Sequence, residues 1–337
     1  MSPLRGAGPV GGSDDGSDDG NDDGSDDEAG GYDVAWLDLR ADADDRARSD
    51  ALLADLGNAL RPGVTAADPP GDHVLDLGCG TGAMARWCLD RFGPRATDTV
   101  VTLVDPDGRL LEVARSRLAA APGRVLTTVA AGCDDLARLL ADPPEGRRVD
   151  AVVASALLDV VPAASVVHLA RAVAGAGVPL LAALTVTGTV RLDPQHPWDE
   201  VAAAAVARTA RRDGAAGPGA AGLLVDAATA QGCRAVARST PWHLDPARDG
   251  ALVAAWWEGY AAAARHGART PEERTALDVW AADHRSALER GALVVQVGHD
   301  DVLVLPGHAA RSRLSAFLST SVPDVDRNAD VGGTADA

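Results

Sequence analysis

The segment 73–82, with the sequence HVLDLGCGTG, limits the possible folds of this chain more than any other stretch. Its first residues form a largely apolar run that is long enough for a buried parallel strand and too short for a helix. Glycines follow at Gly78, Gly80 and Gly82, and residues 83–89 have a helical composition. Because glycine has no Cβ, a ligand can lie against bare backbone where a strand turns into a helix in this way. The segment therefore predicts a ligand-binding turn.

The predicted strand contains an acidic residue, Asp76, one place before its end. A carboxylate buried at that position is costly without a cationic partner, so we expect it to meet one. A dinucleotide site is the alternative, because Gly78, Gly80 and Ala83 satisfy the loose G-x-G-x-x-G/A pattern. That pattern is weak by itself, and Asp76 would place negative charge close to a pyrophosphate. The carboxylate therefore counts against a dinucleotide.

Residues 76–82 have the form D-x-G-x-G-x-G and resemble, at every position, the first motif of class I S-adenosylmethionine (SAM)-dependent methyltransferases. The resemblance implies that the glycine turn lies under the methionine part of SAM. It also implies that Asp76 meets the amino group of SAM, directly or through water. The resemblance extends over residues 73–186, about a third of the chain. SAM is therefore the expected cofactor.

Strands and helices alternate strictly as far as residue 186, which predicts an α/β fold with a parallel, doubly wound, Rossmann-like sheet. Family members close this sheet with a pair of late strands, so the resemblance implies a seven-stranded, mostly parallel sheet. Helical stretches predict insertions after strands five and six, the second of them within residues 245–290. Eight segments have strand character, one more than the resemblance implies, namely residues 74–77, 99–104, 124–129, 150–154, 178–186, 234–239, 292–297 and 302–305.

Two further acidic positions belong to the predicted cofactor site. Asp105 ends the second strand, where an acid can accept both ribose hydroxyls. Asp107 is predicted to be a turn or N-cap residue. After the third strand, the resemblance implies an acid that meets the adenine amino group. Asp134 is the candidate and Asp135 the alternative, although both would also suit the cap of the following helix.

The acceptor side of the site is less well defined by the sequence. Asp159 follows the fourth strand, where the resemblance implies residues that face the transferred methyl group, and a turn before Pro162 is its alternative role. His196, from the segment expected to cover the site, and Ser155, from the end of the same strand, are further candidates for catalysis. No N-P-P-Y-type signature is present, which argues against amino-methyltransferases of the DNA or glutamine type.

Tryptophans outside the predicted SAM-binding core, and one arginine near the first of them, allow two interpretations. Trp36 and Arg40 either line the mouth of the site or serve as core packing and a solvated surface charge. Five of the seven tryptophans follow residue 190, and they either line an acceptor pocket or form the core of a helical cap.

The predicted organisation is a disordered acidic tail (1–31), an N-terminal helical segment (32–71), the SAM-binding core (72–186), an acceptor-side half with a helical cap and the last strands (187–306) and a C-terminal tail (307–337).

Charge and cysteine usage restrict the partners. Residues 1–30 hold nine acidic residues and one arginine, which is −8 of the net charge of −18, and the remainder is still acidic. A chain with this net negative charge would repel the phosphates of nucleic acid, so a neutral or cationic small molecule is the expected partner. The four cysteines have neither C-x-x-C pairing nor histidines at metal spacing, so we expect no metal site. The same cysteine pattern predicts a protein of the cytoplasm, where thiols stay reduced. No apolar run reaches transmembrane length, and no membrane partner is expected.

The resemblance implies an enzyme that moves a methyl group from SAM to a small-molecule acceptor. Two alternatives remain open at this point. One is a SAM-binding module without catalysis, and the other is aminopropyl transfer from decarboxylated SAM on the same fold. The sequence shows no motif that matches a polyamine acceptor.

Overall fold

Strands alternate with helices along most of the computed structural model, which describes residues 32–60, 71–212 and 214–307. The predicted tails, 1–31 and all but the first residue of 307–337, lie outside the described residues. The elements are α1 (Val34–Ala47), α2 (Asp50–Ala59), β1 (His73–Leu77), α3 (Ala83–Arg91), β2 (Val100–Asp105), α4 (Gly108–Leu118), β3 (Arg124–Ala130), α5 (Leu136–Ala141), β4 (Ala151–Ser155), α6 (Ala163–Ala176), β5 (Leu180–Asp193), α7 (Asp199–Arg212), α8 (Ala220–Ala230), β6 (Arg234–Ser239), β7 (Trp242–Leu244), α9 (Pro246–His266), α10 (Pro271–Glu289) and β8 (Val294–Leu305).

The sheet has the order β3-β2-β1-β4-β5-β8-β6, and β7 pairs with β8 beside this path. Strands β1 to β5 are parallel, whereas β8 is antiparallel to both β5 and β6. Every residue of β1 and β2 is buried, as expected for apolar strands covered by helices on both faces. The chain builds outward from β1 to β3 and then returns to place β4 on the other side of β1. The carboxyl ends of β1 and β4 are therefore the switch point where open α/β sheets bind ligands.

The α/β fold with a mostly parallel sheet is confirmed, but the described residues contain eight strands rather than the predicted seven. The additional strand, β7, is only three residues long and pairs with Val295–Val297 of β8. The segments 292–297 and 302–305, predicted as separate strands, belong to the single strand β8. Residues 299–301 are polar and nevertheless continue the strand, and Asp301 is buried because its carboxylate accepts hydrogen bonds from neighbouring elements.

Strand β5 continues to Asp193, beyond the predicted end at residue 186. Its second half leaves the central sheet and pairs with the first half of β8, so that Leu192 lies opposite Val295. This two-stranded extension joins the sheet to a second hydrophobic cluster that contains α1, α7, α9 and α10. The predicted helical cap is therefore connected to the sheet by the continuous strands β5 and β8, and it does not begin as a separate insertion at residue 187.

The late tryptophans decide between the two roles that the sequence left open. Trp242, Trp256, Trp257 and Trp280 are at most 3% exposed and belong to the hydrophobic cluster of the cap. The rings of Trp257 and Trp280 are 4.9 Å apart, a packing distance for aromatic pairs. Trp198 differs, since it is 39% exposed. The buried tryptophans are therefore the core of the cap and do not line an open acceptor pocket.

Candidate functional site

The glycine turn after β1 has the backbone geometry that its composition demands. Gly78, Gly80 and Gly82 have φ angles of 65°, 53° and 82°, a region that side chains with a Cβ rarely adopt. At Gly78, a Cβ would also lie 2.9 Å from Leu157 Cδ1 in the loop after β4. Gly82 then begins α3 as its N-cap. The turn therefore needs glycine both for its conformation and for its close neighbours.

Asp76 lies at the end of β1 and is fully buried. Its Oδ2 accepts a hydrogen bond of 3.0 Å from the backbone N–H of Ala85 in the first turn of α3. Its Oδ1 is buried and has no hydrogen-bond partner among the described residues. Burial raises the pKa of Asp76 to about 7, while the Ala85 hydrogen bond and the Arg48 charge oppose this shift. A carboxyl group with one open oxygen therefore lies beside the glycine turn.

Asp105 lies on the other side of the turn, because β2 is in register with β1 and Leu77 lies opposite Val104. Its Oδ2 accepts from the Gly80 N–H at 2.9 Å and its Oδ1 from the Asp107 N–H at 2.9 Å. Burial raises the pKa of Asp105, and the two backbone hydrogen bonds oppose that effect. The Asp107 side chain caps α4, as predicted. Each oxygen of Asp105 keeps a further lone pair for a ligand hydroxyl.

The two candidate adenine acids have different environments. Asp135 Oδ2 accepts from the Gly132 N–H at 3.0 Å, so its carboxylate caps the short helical turn before α5. The Asp134 side chain is 70% exposed, and His168 Nδ1 lies 3.9 Å from its Oδ1. Because β3 pairs with β2 and Ala130 lies opposite Asp105, both acids follow the strand next to the predicted ribose site.

The predicted catalytic residues fall into two places. Asp159 is buried in the loop after β4, and its carbonyl accepts from the Gly217 N–H at 3.0 Å. Ser155 ends β4, beside the glycine turn, because Ala154 lies opposite Leu77. His196 lies in the cap, where its Nε2 is 3.3 Å from Asp283 Oδ2 of α10. The structure therefore brings Asp159 and Ser155 to the sheet edge, whereas the contacts found for His196 are with residues of the cap.

Helix α1 covers this edge of the sheet. Leu37 Cδ1 lies 3.4 Å from the position that a Cβ on Gly80 would occupy. Ion pairs hold the helix in place, with Asp38 bound to Arg117 of α4 and Asp45 to Arg86 of α3. Helix α1 therefore lies against one side of the glycine turn, in which Gly78 and Gly80 remain partly exposed.

Trp36 and Arg40 face inward from α1 rather than lining an open mouth. Trp36 packs in the cluster of the cap. Arg40 is buried, and its Nε lies 2.9 Å from Asp44 Oδ2. Asp44 Oδ1 also accepts from the Trp242 indole at 3.1 Å. The alternative of a solvated arginine is therefore wrong, while the alternative of core packing holds for Trp36.

Sequence reasoning missed Arg48, the C-cap residue of α1. Its side chain is 1% exposed, with Nη1 2.7 Å from Asp45 Oδ1. Its Nη2 donates to Ser155 Oγ at 3.1 Å, which brings a guanidinium to the carboxyl end of β4. Arg48 follows Arg46 by two residues and belongs to no motif, so no signal in the sequence distinguishes it from a surface arginine.

Comparison with known proteins gives one family and several distant structural similarities. Residues 74–177 match the model of a methyltransferase domain family. No curated protein matches the sequence. The E. coli protein YjhP is 18% identical, with a TM-score of 0.39, and the match covers 81% of this chain and 99% of that one.

Two other solved structures are similar at the same level. A SAM-dependent methyltransferase from Thiobacillus denitrificans, in complex with S-adenosyl-L-homocysteine, is 16% identical over 81% of this chain and 99% of its own, with a TM-score of 0.38. The cyclopropane synthase MmaA2 from Mycobacterium tuberculosis is 15% identical over 81% of this chain and 100% of its own, with a TM-score of 0.40. These similarities are distant, so the assignment depends on the family match.

The family match covers the part of the chain that holds the predicted cofactor site. The matched residues, 74–177, begin in β1 and include the glycine turn, Asp105 and the loop after β4. Within the ranges that the structure describes, no helix is long and apolar enough to span a membrane. By the family match, residues 74–177 of this chain are similar to a methyltransferase domain.

Proposed function

We propose that this protein transfers a methyl group from SAM to a small-molecule acceptor. The observation that carries the proposal is the open Oδ1 of Asp76, fully buried beside a glycine turn at the switch point of the sheet. An open buried acceptor is costly unless a ligand with a donor, such as the ammonium group of SAM, occupies it. This is the group that the resemblance assigns to Asp76.

The remaining contacts that we propose for SAM lie at the same carboxyl-end edge of the sheet. Gly78, Gly80 and Gly82 would lie under the methionine part of SAM, because they leave the backbone bare. Asp105 would accept the ribose hydroxyls through the lone pairs that its backbone hydrogen bonds leave free. Asp134 suits the adenine amino group better than Asp135, whose carboxylate already caps a helical turn.

SAM supplies a methyl group that its sulfonium has already activated. The protein must then hold the acceptor in line with that group and, where needed, take its proton. Asp159 is our candidate for the proton acceptor, since it is buried in the loop at the carboxyl end of β4. Ser155 and His196 remain the reserve candidates. The cover formed by α1 favours a small acceptor over a polymer, and the net charge of −18 disfavours nucleic acid.

Two measurements test this function. The demethylated product, S-adenosylhomocysteine, should raise the melting temperature of the protein by mass action, whereas NAD should not. Stabilisation by NAD alone would contradict a SAM site. Transfer of label from methyl-labelled SAM into a cell extract should then separate an enzyme from a binding module. A protein that binds SAM and transfers no label would be a non-catalytic module.

Asp105→Ala should weaken binding of S-adenosylhomocysteine by about 1–3 kcal/mol, or roughly 5- to 150-fold, because the ribose hydroxyls lose their acceptors. Isothermal titration calorimetry measures this loss. Asp107→Ala is the matched control, since it removes a neighbouring carboxylate that caps α4. An affinity unchanged in Asp105→Ala, or lowered equally in both variants, would exclude Asp105 as the ribose ligand.

Binding of S-adenosylhomocysteine should also strengthen as the pH rises toward neutrality. Below about 7 the Asp76 carboxyl holds a proton and carries no charge for the ligand ammonium. The affinity should therefore rise by up to about tenfold per pH unit below 7 and level off above it, with release of a proton on binding. Calorimetry in buffers of different ionisation enthalpy measures that proton. Asp76→Asn should flatten the profile, and a wild-type profile already flat from pH 5 to 8 would contradict the assignment.

The raised pKa of Asp76 has the opposite effect on the stability of the free protein, whose free energy of unfolding falls as the pH rises. The pKa of Asp76 in the folded protein, about 7, lies above the ordinary aspartate value of 3.8. The folded state therefore binds more protons than the unfolded state between those values. The contribution of Asp76 to the free energy of unfolding is then lost as the pH rises from about 4 to about 7.

A further inference from the structure

A row of polar side chains crosses the three antiparallel strands β5, β8 and β6. Thr185 of β5 lies directly opposite Asp300 of β8, and Asp300 lies directly opposite Ser239 of β6. Because directly opposite residues point to the same face of a sheet, the three side chains share one face. Ser239 is exposed, Asp300 is half-buried and Thr185 is 0% exposed. The row therefore runs from the surface into the interior.

The buried end of the row lies at the carboxyl edge of the parallel strands, where open α/β sheets bind ligands. Strand β5 pairs with β4 as far as Ala183, which lies opposite Ser155, and Thr185 follows two residues later. Leu184, which precedes Thr185, has a φ of 56° and donates its N–H to Asp301 Oδ1 at 2.8 Å. Residues with a Cβ rarely adopt such a conformation, and those that do are concentrated at functional sites.

The loop that carries Asp159 meets β5 at the same edge. The carbonyl of Asp159 accepts from the Gly217 N–H at 3.0 Å. The next residue, Pro218, packs on β5, where its Cγ lies 3.0 Å from the position that a Cβ on Gly188 would occupy. Gly188 follows Thr185 by three residues. The buried end of the row therefore lies on the strand that borders the proposed acceptor side of the site.

Two groups of the row have no partner within the described ranges of the chain. The Thr185 hydroxyl is buried without a hydrogen bond. The Asp300 carboxylate forms neither a hydrogen bond nor an ion pair in those ranges, and burial raises its pKa. Buried polar groups are nearly always paired, because an unpaired one costs free energy. A carboxylate and a hydroxyl oxygen on the same face can both accept N–H donors, and a ligand with several such donors would complete them.

We propose that the Asp300 carboxylate and the Thr185 hydroxyl oxygen bind an ammonium group of the methyl acceptor, which is then a small molecule that carries an amine. An ammonium group has N–H donors for both oxygens and no acceptor of its own. The inference rests on the proposed function, and it narrows the acceptor from a small molecule to an amine. The carboxylates of Asp159 and Asp300 would also offset the repulsion between this cation and the sulfonium of SAM.

The charge of the methylated product tests the class of acceptor. Label is transferred from methyl-labelled SAM into a cell extract, and the small molecules are passed over a strong cation exchanger at about pH 2, where carboxylates are protonated and amines are charged. The labelled product should be retained, as a peak separate from the SAM of a control without enzyme. Labelled product in the unretained fraction would overturn the inference and leave the proposed function intact. Binding of S-adenosylhomocysteine with no labelled product in any fraction would contradict methyl transfer itself.

Two variants test the residues. Asp300→Asn should raise the extract concentration that gives half-maximal transfer by roughly tenfold, the loss expected for one charged hydrogen bond. Its affinity for S-adenosylhomocysteine should stay within about twofold of the wild type, because Asp300 lies outside the proposed cofactor contacts. Asp226→Asn, on the exposed side of the neighbouring helix α8, is the matched control and should change neither value.

Thr185→Val should raise the same half-maximal concentration by roughly fivefold without lowering the melting temperature, because the valine removes no hydrogen bond from the free protein. Thr187→Val, two residues along β5 and half-buried, is the matched control. An unchanged half-maximal concentration in both Asp300→Asn and Thr185→Val would overturn the inference and show that the two side chains bind only each other or water. The assay of product charge uses the wild type, so it decides the class of acceptor even if a variant does not fold.

Discussion

Asp159→Asn is expected to lower methyl transfer by roughly a hundredfold or more while the affinity for SAM stays unchanged. The asparagine side chain has nearly the same shape but cannot accept a proton at neutral pH. The backbone of Asp159 is held independently, because its carbonyl accepts from Gly217 at 3.0 Å, so the fold should survive the change. A hundredfold loss corresponds to about 2.7 kcal/mol of transition-state stabilisation.

The measurement is the rate of label transfer from methyl-labelled SAM into a cell extract, with SAM affinity determined by calorimetry on the same preparation. Asp226→Asn, on the exposed side of α8, is the control for loss of an acidic residue. His196→Gln tests the second candidate in the same assay. Unchanged transfer in Asp159→Asn would remove Asp159 from the mechanism, and loss of SAM binding would move it to the cofactor site.

Trp257→Ala should lower the free energy of unfolding by about 3–5 kcal/mol, the usual cost of removing a large aromatic side chain from a core. Trp257 is fully buried, and its ring lies 4.9 Å from that of Trp280 and 5.2 Å from that of His284. Its indole nitrogen has no hydrogen-bond partner among the described residues, so the loss should come from packing. Truncation would leave a cavity between α9 and α10.

Urea unfolding followed by circular dichroism measures this change. Trp198→Ala is the matched control, because Trp198 is 39% exposed and its removal should cost less than about 1 kcal/mol. A small effect of Trp257→Ala, comparable to the control, would mean that the cap does not depend on its aromatic core. Loss of methyl transfer at full stability would instead revive the interpretation of these tryptophans as an acceptor pocket.

Short-range sequence patterns determined the central part of this protein. The apolar strands, the glycine turn and the following helix are each decided within about ten residues. Their causes are local, since buried parallel strands need continuous apolar runs and positive φ angles need glycine. For the same reason Asp107 could be predicted as the cap of α4. The α/β fold and the similarity to a methyltransferase domain could therefore be predicted from residues 73–186.

Only the tertiary structure decided the features that depend on distant partners. Arg48 acquires its place by donating to Ser155, 107 positions away, and without that contact it resembles any surface arginine. Asp301 can lie within one long strand because it accepts from Ser49, 252 positions away. The tryptophans of the cap are the same case, since spacing shows which face of a helix is apolar but not what covers it. Burial and pairing across the chain are properties of the assembled fold, and no local pattern encodes them.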